Sequence, residues 1–249
     1  MEKKITAIIQ ARTTSTRYPG KIFEKIGNKT LIQIIIDRLK ESKSIKQIVL
    51  AIPNDKINRE ISKKVKNVKI YFGSEHDVLK RYYGAAKKYN SEIIVRICGD
   101  SPFIDPKIID KMLDEYMKIK VDYLSNTIVP TFPDGLDVEI FDFETLKAVH
   151  QRAKKISHRE HVTKYILDRN NFKKKNFSYK FDLSKLRLTI DEKIDLDILK
   201  DVYKKINKKL KFYVEDIHNL YKKNPEVFRD NMKIKRNQGS YLSKGQKLW

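Results

Sequence analysis

The chain has few of the features that mark a secreted, membrane-bound or disulfide-stabilised protein. Its 249 residues include one cysteine, Cys98, so no internal disulfide can form. The apolar stretch before Arg12 is too short for a signal peptide or a membrane span. Apolar residues make up 40% of the chain, enough for an ordinary buried core. We therefore expect a cytoplasmic protein without a membrane partner, built as one large α/β domain or two small ones.

Acidic residues are scarce relative to basic ones, and the formal charge is +22. Such an excess suits nucleic-acid binding, because clustered cations neutralise phosphates. However, 42 of the 54 cations are lysines scattered over the whole chain. The densest runs, "NNFKKKNF" and "KKINKKLKF", lack the interleaved aromatics of a single-strand binding surface. Scattered lysines indicate solvated faces, so we expect no nucleic-acid partner, although a basic nucleic-acid-binding module stays an alternative of a different class.

Linker sequences rich in Pro, Gly or Ser are absent before about residue 230, and apolar runs alternate there with helical patterns. The predicted strands "ITAIIQ", "QIVLAI", "VKIYF" and "EIIVRI" are followed by helices over 30–41, 54–65, 75–89 and 106–117. Strands rich in Ile and Val without polar alternation are buried on both faces. The pattern predicts an α/β fold with three layers and a doubly wound, mainly parallel sheet. Its functional loops should follow Ile9, Phe72 and Ile97, at the carboxyl ends of strands.

The second half is less regular. We predict strands at "VDYLS" and "DGLDVEIF", helices over 143–155, 158–168 and 192–207, and paired strands at "FSYKFDL" and "LRLTI". The periodicity is lost from Asn231 onward. We therefore expect a domain over 1–230 and a tail or linker over 231–249.

The loop after the first predicted strand, 11–21, carries three cations but lacks the glycine patterns of phosphate-binding loops. A Walker A motif would need glycine at Ser15 and a hydroxyl residue at Ile22, and no G-x-G-x-x-G is present. Arg12 and Arg17 can each bind phosphate oxygens with two N–H groups, and Lys21 adds a compact charge. Three cations match a nucleoside triphosphate better than a single phosphate ester. We refer to 11–21 as the opening loop.

Two aspartates follow predicted strands, and a carboxylate at such a strand end could hold Mg²⁺ beside a bound nucleoside triphosphate. Asp100 lies in "CGDSP", which could otherwise be a simple turn. Asp191 lies in "LTIDEKIDL", where an aspartate is more often a helix N-cap. Asp137 in "DGLDVEI" could replace Asp191 as the second ligand or bind an acceptor. The residues alone do not rank the two.

Six segments, in order, carry a resemblance to a known family: "IIQARTTSTRYPGK", "GSEHDVLKRYYGAAKKY", "VRICGDSPFIDP", "FPDGLDVEIF", "REHVTKYI" and "LRLTIDEKIDL". Together they resemble the cytidylyltransferases that include CMP-Kdo and CMP-sialic acid synthetases, most closely the SpsF-type branch of spore coat polysaccharide biosynthesis. The similarity spans residues 4 to 200. The family's first motif reads roughly A-R-x-x-S-x-R-x-P-G-K, and every fixed position is met by Ala11, Arg12, Ser15, Arg17, Pro19, Gly20 and Lys21.

The resemblance implies a nucleotide-diphospho-sugar transferase-like, Rossmann-like fold with a small insertion for dimerisation and acceptor binding. It also implies a Mg²⁺-dependent enzyme that transfers CMP from CTP to an anionic sugar or related acceptor and releases pyrophosphate, in surface polysaccharide synthesis. GTP or another triphosphate stays open, because "GSEHDVL" departs from the motif of the Kdo enzymes. A nucleotide-binding scaffold without turnover is a further alternative.

The resemblance and the positions of the residues together predict a set of residues for each role. The catalytic set is Arg12, Lys21 and Asp100. The nucleotide-binding set is Gln10, Ala11, Arg12, Ser15, Arg17, Gly20, Lys21, Ser74, Asp77 and Asp100, although Ser74 and Asp77 could be helix caps. The acceptor set is Asn126, Asp137, Glu139, Arg159 and His161, and the metal ligands are Asp100 and Asp191.

The resemblance extends to assembly and to the tail. It implies a homodimer, with "PTFPDGLDVEIF" in the region that dimerises related synthetases. The segment "SYLSKGQKLW" is similar to a junction that leads into a PLP-dependent aminotransferase of the glutamate-1-semialdehyde type. The chain could therefore be the N-terminal part of a bifunctional enzyme.

Overall fold

The computed structural model describes residues 3–234 and residue 236. Its strands are β1 (Ile5–Gln10), β2 (Lys25–Ile26), β3 (Lys29–Thr30), β4 (Gln47–Pro53), β5 (Lys69–Gly73), β6 (Ile93–Cys98), β7 (Tyr123–Ser125), β8 (Glu139–Asp142) and β9 (Lys174–Asn176). Its helices are α1 (Leu31–Leu39), α2 (Lys56–Lys64), α3 (Val78–Lys88), α4 (Pro106–Lys118), α5 (Phe143–Arg152), α6 (Ile156–Glu160), α7 (Lys164–Leu167), α8 (Lys193–Lys205) and α9 (Val214–Lys223). Short 3₁₀ helices cover Lys21–Phe23, Pro225–Phe228 and Asn231–Lys233.

Seven strands form one sheet in the order β5-β4-β1-β6-β8-β7-β9. The first four of that order run parallel, and Ile9 of β1 lies between Leu50 of β4 and Ile97 of β6. β8 is antiparallel to β6 and to β7, and β9 runs parallel to β7. The predicted α/β fold with a mainly parallel sheet is confirmed.

Helices cover both faces of the sheet because both faces of its central strands are apolar. In β1, Ala7 and Ile9 pack into a core with α1, α4, α8 and α9, whereas Ile8 packs on the opposite face against α3 and α5. Successive side chains of a strand point to opposite faces, so one unbroken run of Ile and Ala supplies two cores. The three predicted layers are confirmed.

The predicted helices agree with α1, α2, α3, α4, α5 and α8 to within three residues at each end. The single helix predicted over 158–168 is wrong, because the chain breaks there into α6 and α7. The hairpin β2–β3 and helix α9 were missed. The spacing of Val214, Ile217 and Leu220, all buried, is the signal that would have indicated α9.

The predicted pairing of "FSYKFDL" with "LRLTI" is wrong. Both segments instead pack on 131–134: Leu183 N–H donates to Thr131 O at 2.8 Å, and Asp134 N–H donates to Leu186 O at 2.9 Å. Leu183, Leu186 and Leu188 are buried in the core. Neither segment forms a strand, although Arg187 makes an isolated bridge with Asp134, because each segment lies where its leucines can be buried.

The described residues after 230 pack against the rest of the fold. Asn231 is fully buried, and its amide donates to Arg187 O at 2.9 Å. Arg236 forms an ion pair with Asp137 and donates to Phe132 O at 3.0 Å. Residues 235 and 237–249, which include most of the predicted tail, lie outside the described residues. No helix in the described part of the chain is long and apolar enough to cross a membrane.

Candidate active site

The opening loop leaves the carboxyl end of β1 and is fixed by contacts with α2. Thr13 N–H donates to Asn58 Oδ1 at 2.7 Å, and Asp55, the N-cap of α2, accepts from the Asn58 amide at 2.7 Å. Gly20 closes the loop, because its N–H donates to Thr13 O at 2.8 Å and its φ of 72° lies in the left-handed region that favours glycine. These contacts therefore fix the position of Lys21, which begins the 3₁₀ helix Lys21–Phe23.

Lys21 brings the two predicted metal ligands together. Its Nζ lies 3.1 Å from Asp100 Oδ2 and 3.0 Å from Asp191 Oδ1, and it also donates to Ile190 O. Lys21 is only 6% exposed. Burial lowers the pKa of a lysine, but Asp100 and Asp191 outweigh it, and the pKa of Lys21 is raised. Three residues widely separated in sequence thus converge at the carboxyl edge of the parallel strands.

Asp191 is held by a buried arginine that sequence reasoning missed. Arg187 Nη2 donates to Asp191 Oδ2 at 2.8 Å, and its other nitrogens bind Asp134 and Asp195 at 2.8 and 2.9 Å. Asp195 also accepts from Asp191 N–H at 2.9 Å. Burial raises the pKa of Asp191, but Lys21, Arg17 and Arg187 lower it below its ordinary value. The only sequence signal for Arg187 was a charge inside the apolar run "LRLTI".

The other opening-loop cations differ in their contacts. Arg17 Nη2 lies 2.9 Å from Asp191 Oδ1, whereas its Nη1 is buried without a hydrogen-bond partner among the described residues. Arg12 has no ion pair within residues 3–234 and 236, and it lies close enough to Arg81 to lower its pKa. Burial is the main cause that lowers the pKa of Arg81 to about 10, and the nearby charge of Arg12 adds to it. Two guanidinium groups and an unsatisfied N–H at one loop favour an anion there.

The two carboxylates fit a divalent cation. In this structure the ammonium of Lys21 lies between Asp100 and Asp191, so both carboxylates already stabilise one cation at that point. Within the described residues no group of three His, Cys, Asp or Glu could hold a metal ion. Mg²⁺ commonly takes one or two carboxylates and completes its shell with water and substrate phosphates. The residue set therefore suits Mg²⁺ bound together with a nucleotide rather than a closed structural metal site.

Gln10, Ser74 and Asp77, from the predicted nucleotide-binding set, lie beside the opening loop. Gln10 O accepts from Gly99 N–H at 2.8 Å, and Gln10 Oε1 accepts from Arg96 at 3.1 Å. Ser74 and Asp77 form the turn before α3: Asp77 N–H donates to Ser74 Oγ at 3.0 Å. Asp77 caps α3 by accepting from Lys80 N–H at 2.9 Å. The helix-cap alternative is therefore observed for Asp77, whereas Ser74 binds the main chain of the cap residue instead.

The predicted acceptor residues do not form one open set. Asn126 is fully buried, and its amide binds Leu136 O at 2.8 Å and Val138 N–H at 2.9 Å, which fixes the tight turn at Gly135. Glu139 binds Arg96 at 2.8 Å and Thr163 at 3.1 Å.

Three more of the predicted acceptor residues are also engaged. Arg159 pairs with Asp77. Burial is the main cause that raises the pKa of Asp137 to about 7, although Arg236 opposes it. Burial lowers the pKa of His161. Asp137 is also linked to the charges of the site, since Asp134 and Asp100 both raise its pKa.

Comparisons with known proteins agree with this fold. The family model described as cytidylyltransferase matches residues 6–234. The chain is 33% identical to an uncharacterized Methanocaldococcus jannaschii protein, covering 94% of this chain and 96% of that protein. It is 29% identical to the Bacillus subtilis spore coat polysaccharide biosynthesis protein SpsF, covering 90% and 96%. A Leptospira borgpetersenii cytidylyltransferase structure superposes with a TM-score of 0.87 at 35% identity, covering 92% and 98%. The resemblance to the SpsF-type branch is confirmed, and the chain belongs to the cytidylyltransferase family of nucleotidyltransferases.

Proposed function

We propose that this enzyme transfers CMP from CTP to an anionic sugar or related acceptor, releases pyrophosphate and serves surface polysaccharide synthesis. The observation that carries the proposal is the convergence of Asp100 and Asp191 on Lys21, next to the arginines of the opening loop. A carboxylate pair and an excess of cations at one strand edge suit a metal-bound triphosphate. The similarity to SpsF, which is named for spore coat polysaccharide biosynthesis, supports the biological role.

The chain's own residues account for the steps expected of such a transfer. An acceptor oxygen attacks the α-phosphorus in line and pyrophosphate leaves, while Arg12 and Arg17 bind the oxygens on which negative charge accumulates. Lys21, whose ammonium is bound by Asp100, Asp191 and Ile190 O, holds the two carboxylates in place. Asp100 and Asp191 would hold Mg²⁺, which when bound neutralises phosphate charge. Arg187 keeps one Asp191 oxygen turned toward itself at 2.8 Å and so orients the other toward Lys21. No covalent enzyme intermediate is needed, and the partly buried Cys98, whose pKa desolvation raises to about 12, is unsuited to be a nucleophile.

The deciding experiment is a pyrophosphate-release screen. It crosses the four ribonucleoside triphosphates with acidic sugars, sugar phosphates and phosphonates, in the presence of Mg²⁺. We expect release with CTP and at least one acidic acceptor, and its loss in Asp100→Asn. Asp114→Asn, an exposed aspartate of α4, is the matched control and should behave as wild type. Release with GTP instead would show that the enzyme uses another nucleotide than CTP. No release with any combination would refute the proposed function.

We also propose that the enzyme works as a homodimer in the cytoplasm, where CTP is made. The loop between β7 and β8 supports the dimer because it exposes two aliphatic side chains, Ile128 at 38% and Val129 at 62%. Light scattering coupled to size-exclusion chromatography tests it, and a monomer at micromolar concentration would contradict it. The proposed fusion to an aminotransferase concerns residues outside the described part of the chain.

A further inference from the structure

An ion pair between Arg159 and Asp77 joins α6 to the turn before α3. Arg159 Nε lies 3.0 Å from Asp77 Oδ1 and 3.1 Å from Oδ2, and Nη2 lies 2.7 Å from Oδ2. The side chains are 19% and 30% exposed, so the pair is partly shielded from water. Two-point pairing of this kind fixes orientation as well as distance.

Asp77 passes this restraint to the main chain of 73–77, the segment between β5 and α3. The carboxylate that Arg159 binds also accepts Lys80 N–H, and Asp77 N–H donates to Ser74 Oγ. From the helix side, Arg81 donates to Ser74 O and to Glu75 O. The segment reaches the opening loop, where the Thr14 hydroxyl donates to Glu75 Oε1. The peptide groups of 73–77 are thus held beside the phosphate-binding candidates.

Arg159 has no donor left for an acceptor anion. Its Nη1 donates to His150 O at 2.8 Å and to Ala153 O at 3.4 Å, and its Nη2 also lies 3.2 Å from His150 Nδ1. The His150 ring in turn stacks on Tyr83 of α3, with ring centroids 4.3 Å apart. Each of its three guanidinium nitrogens has a partner within the fold. Arg159 is therefore not available to bind an acceptor anion directly.

We propose that the main chain of 73–77, which lies at the carboxyl end of β5 and contacts the opening loop, reads the nucleotide base, and that Arg159 is a positioning residue for base selection that acts on it through Asp77. Cytosine presents an amino donor where uracil presents a carbonyl acceptor. A peptide group offers one donor and one acceptor, so rotation of a peptide plane would reverse which base it prefers. A segment that reads a base with its main chain must therefore be held rigidly. Arg159 of α6 supplies that restraint. This inference rests on the proposed function, since it takes CTP as the nucleotide.

The test compares Arg159→Gln, Arg159→Lys, Asp77→Asn and the double variant Asp77→Asn/Arg159→Gln with wild type. Arg152→Gln, an exposed arginine at the end of α5, is the matched control. Calorimetry gives the affinities for CTP and for UTP without acceptor, and hydrogen exchange reports amide protection over 73–80. We expect Arg159→Gln to weaken CTP binding about tenfold and UTP binding less, so that the CTP:UTP ratio falls. Amides of 73–80 should exchange faster, Arg159→Lys should restore part of both effects, and the double variant should be no worse than Arg159→Gln.

The outcomes separate this inference from the proposed function. An equal loss of CTP and UTP affinity, or a lower melting temperature with an unchanged ratio, shows a structural role only and overturns the inference while the proposed function stands. Unchanged exchange over 73–80 also overturns it. If wild type binds none of the four triphosphates, the proposed function fails first, and base selection by Arg159 fails with it.

Discussion

Replacing Lys21 by methionine tests the centre of the candidate site. The substitution keeps an unbranched apolar chain of similar length and removes the ammonium that lies between Asp100 and Asp191. Two partly buried carboxylates then face each other, and Ile190 O loses its donor. We expect lower stability and a strong loss of pyrophosphate release.

The size of the stability loss follows from the three contacts. Hydrogen bonds to charged groups contribute about 1.5–3 kcal/mol each, but removing a buried lysine also removes its desolvation cost. The side chains of Asp100 and Asp191 are 30% and 18% exposed, so water can solvate them in part. Asp191 would also still be paired with Arg17 and Arg187. We therefore expect a loss of about 2 kcal/mol in the free energy of unfolding. For a chain of this size that corresponds to a fall of about 4–8 °C in melting temperature.

Urea unfolding and thermal melting measure the loss, with Lys25→Met as the control because Lys25 is exposed on β2. The control should stay within about 0.5 kcal/mol of wild type. If Asp100 and Asp191 hold Mg²⁺, the ion can take the place of the ammonium, so Mg²⁺ should stabilise Lys21→Met more than wild type. A Lys21→Met protein as stable as the control would refute the reasoning that Lys21 neutralises this pair.

Further predictions concern the supports of the site. Asn58→Ala removes the acceptor of Thr13 N–H, which should cost about 1–3 kcal/mol in urea unfolding and raise the KM for CTP; an unchanged KM would show that the opening loop does not depend on this bond. Arg187→Lys leaves three carboxylates with one compact cation, so Mn²⁺ affinity by calorimetry should fall at least several-fold, and wild-type affinity would argue against Arg187 orienting Asp191. The pKa of Asp137 is about 7 in the fold; an unfolded aspartate has a pKa of about 3.9, so this carboxyl lowers stability as pH rises from about 4 to about 7. Asp137→Asn should remove that part of the slope in urea unfolding measured across the range, and an identical slope would contradict the prediction. Removal of divalent ions with EDTA should abolish pyrophosphate release, and Mg²⁺ should restore it; release in EDTA would exclude a metal requirement.

The positions of the parallel strands and their helices were predictable because each depends on a local pattern. Runs such as "ITAIIQ" and "QIVLAI" must be buried on both faces wherever they lie in the fold. The carboxyl ends of such strands meet at one edge, which is why the opening loop and Asp100 could be placed together in advance. Pairings of the second half were less predictable, because short extended segments such as "LRLTI" take whichever partner buries their leucines.

The candidate site was predictable in its charges and less so in their pairing. That Asp77 and Arg159 bind each other, 82 positions apart, is not encoded by any local spacing. The role of Arg187, which binds three carboxylates, was not predicted. A lone arginine within an apolar run does not indicate which side chains it will bind. Asn126 was predicted to contact an acceptor, whereas its amide is occupied by the main chain of its own turn.

The sequence by itself determined the layered α/β architecture, the cation-rich opening loop and, through its motifs, the family. These follow from residue type and local order, which fix burial, turn geometry and charge within a segment. Only the tertiary structure decided that Lys21 lies between Asp100 and Asp191, and that Arg187 and Arg159 hold the carboxylates beside them. Such contacts depend on how distant segments pack into a common core, and an ion pair forms only between the side chains that packing brings within reach.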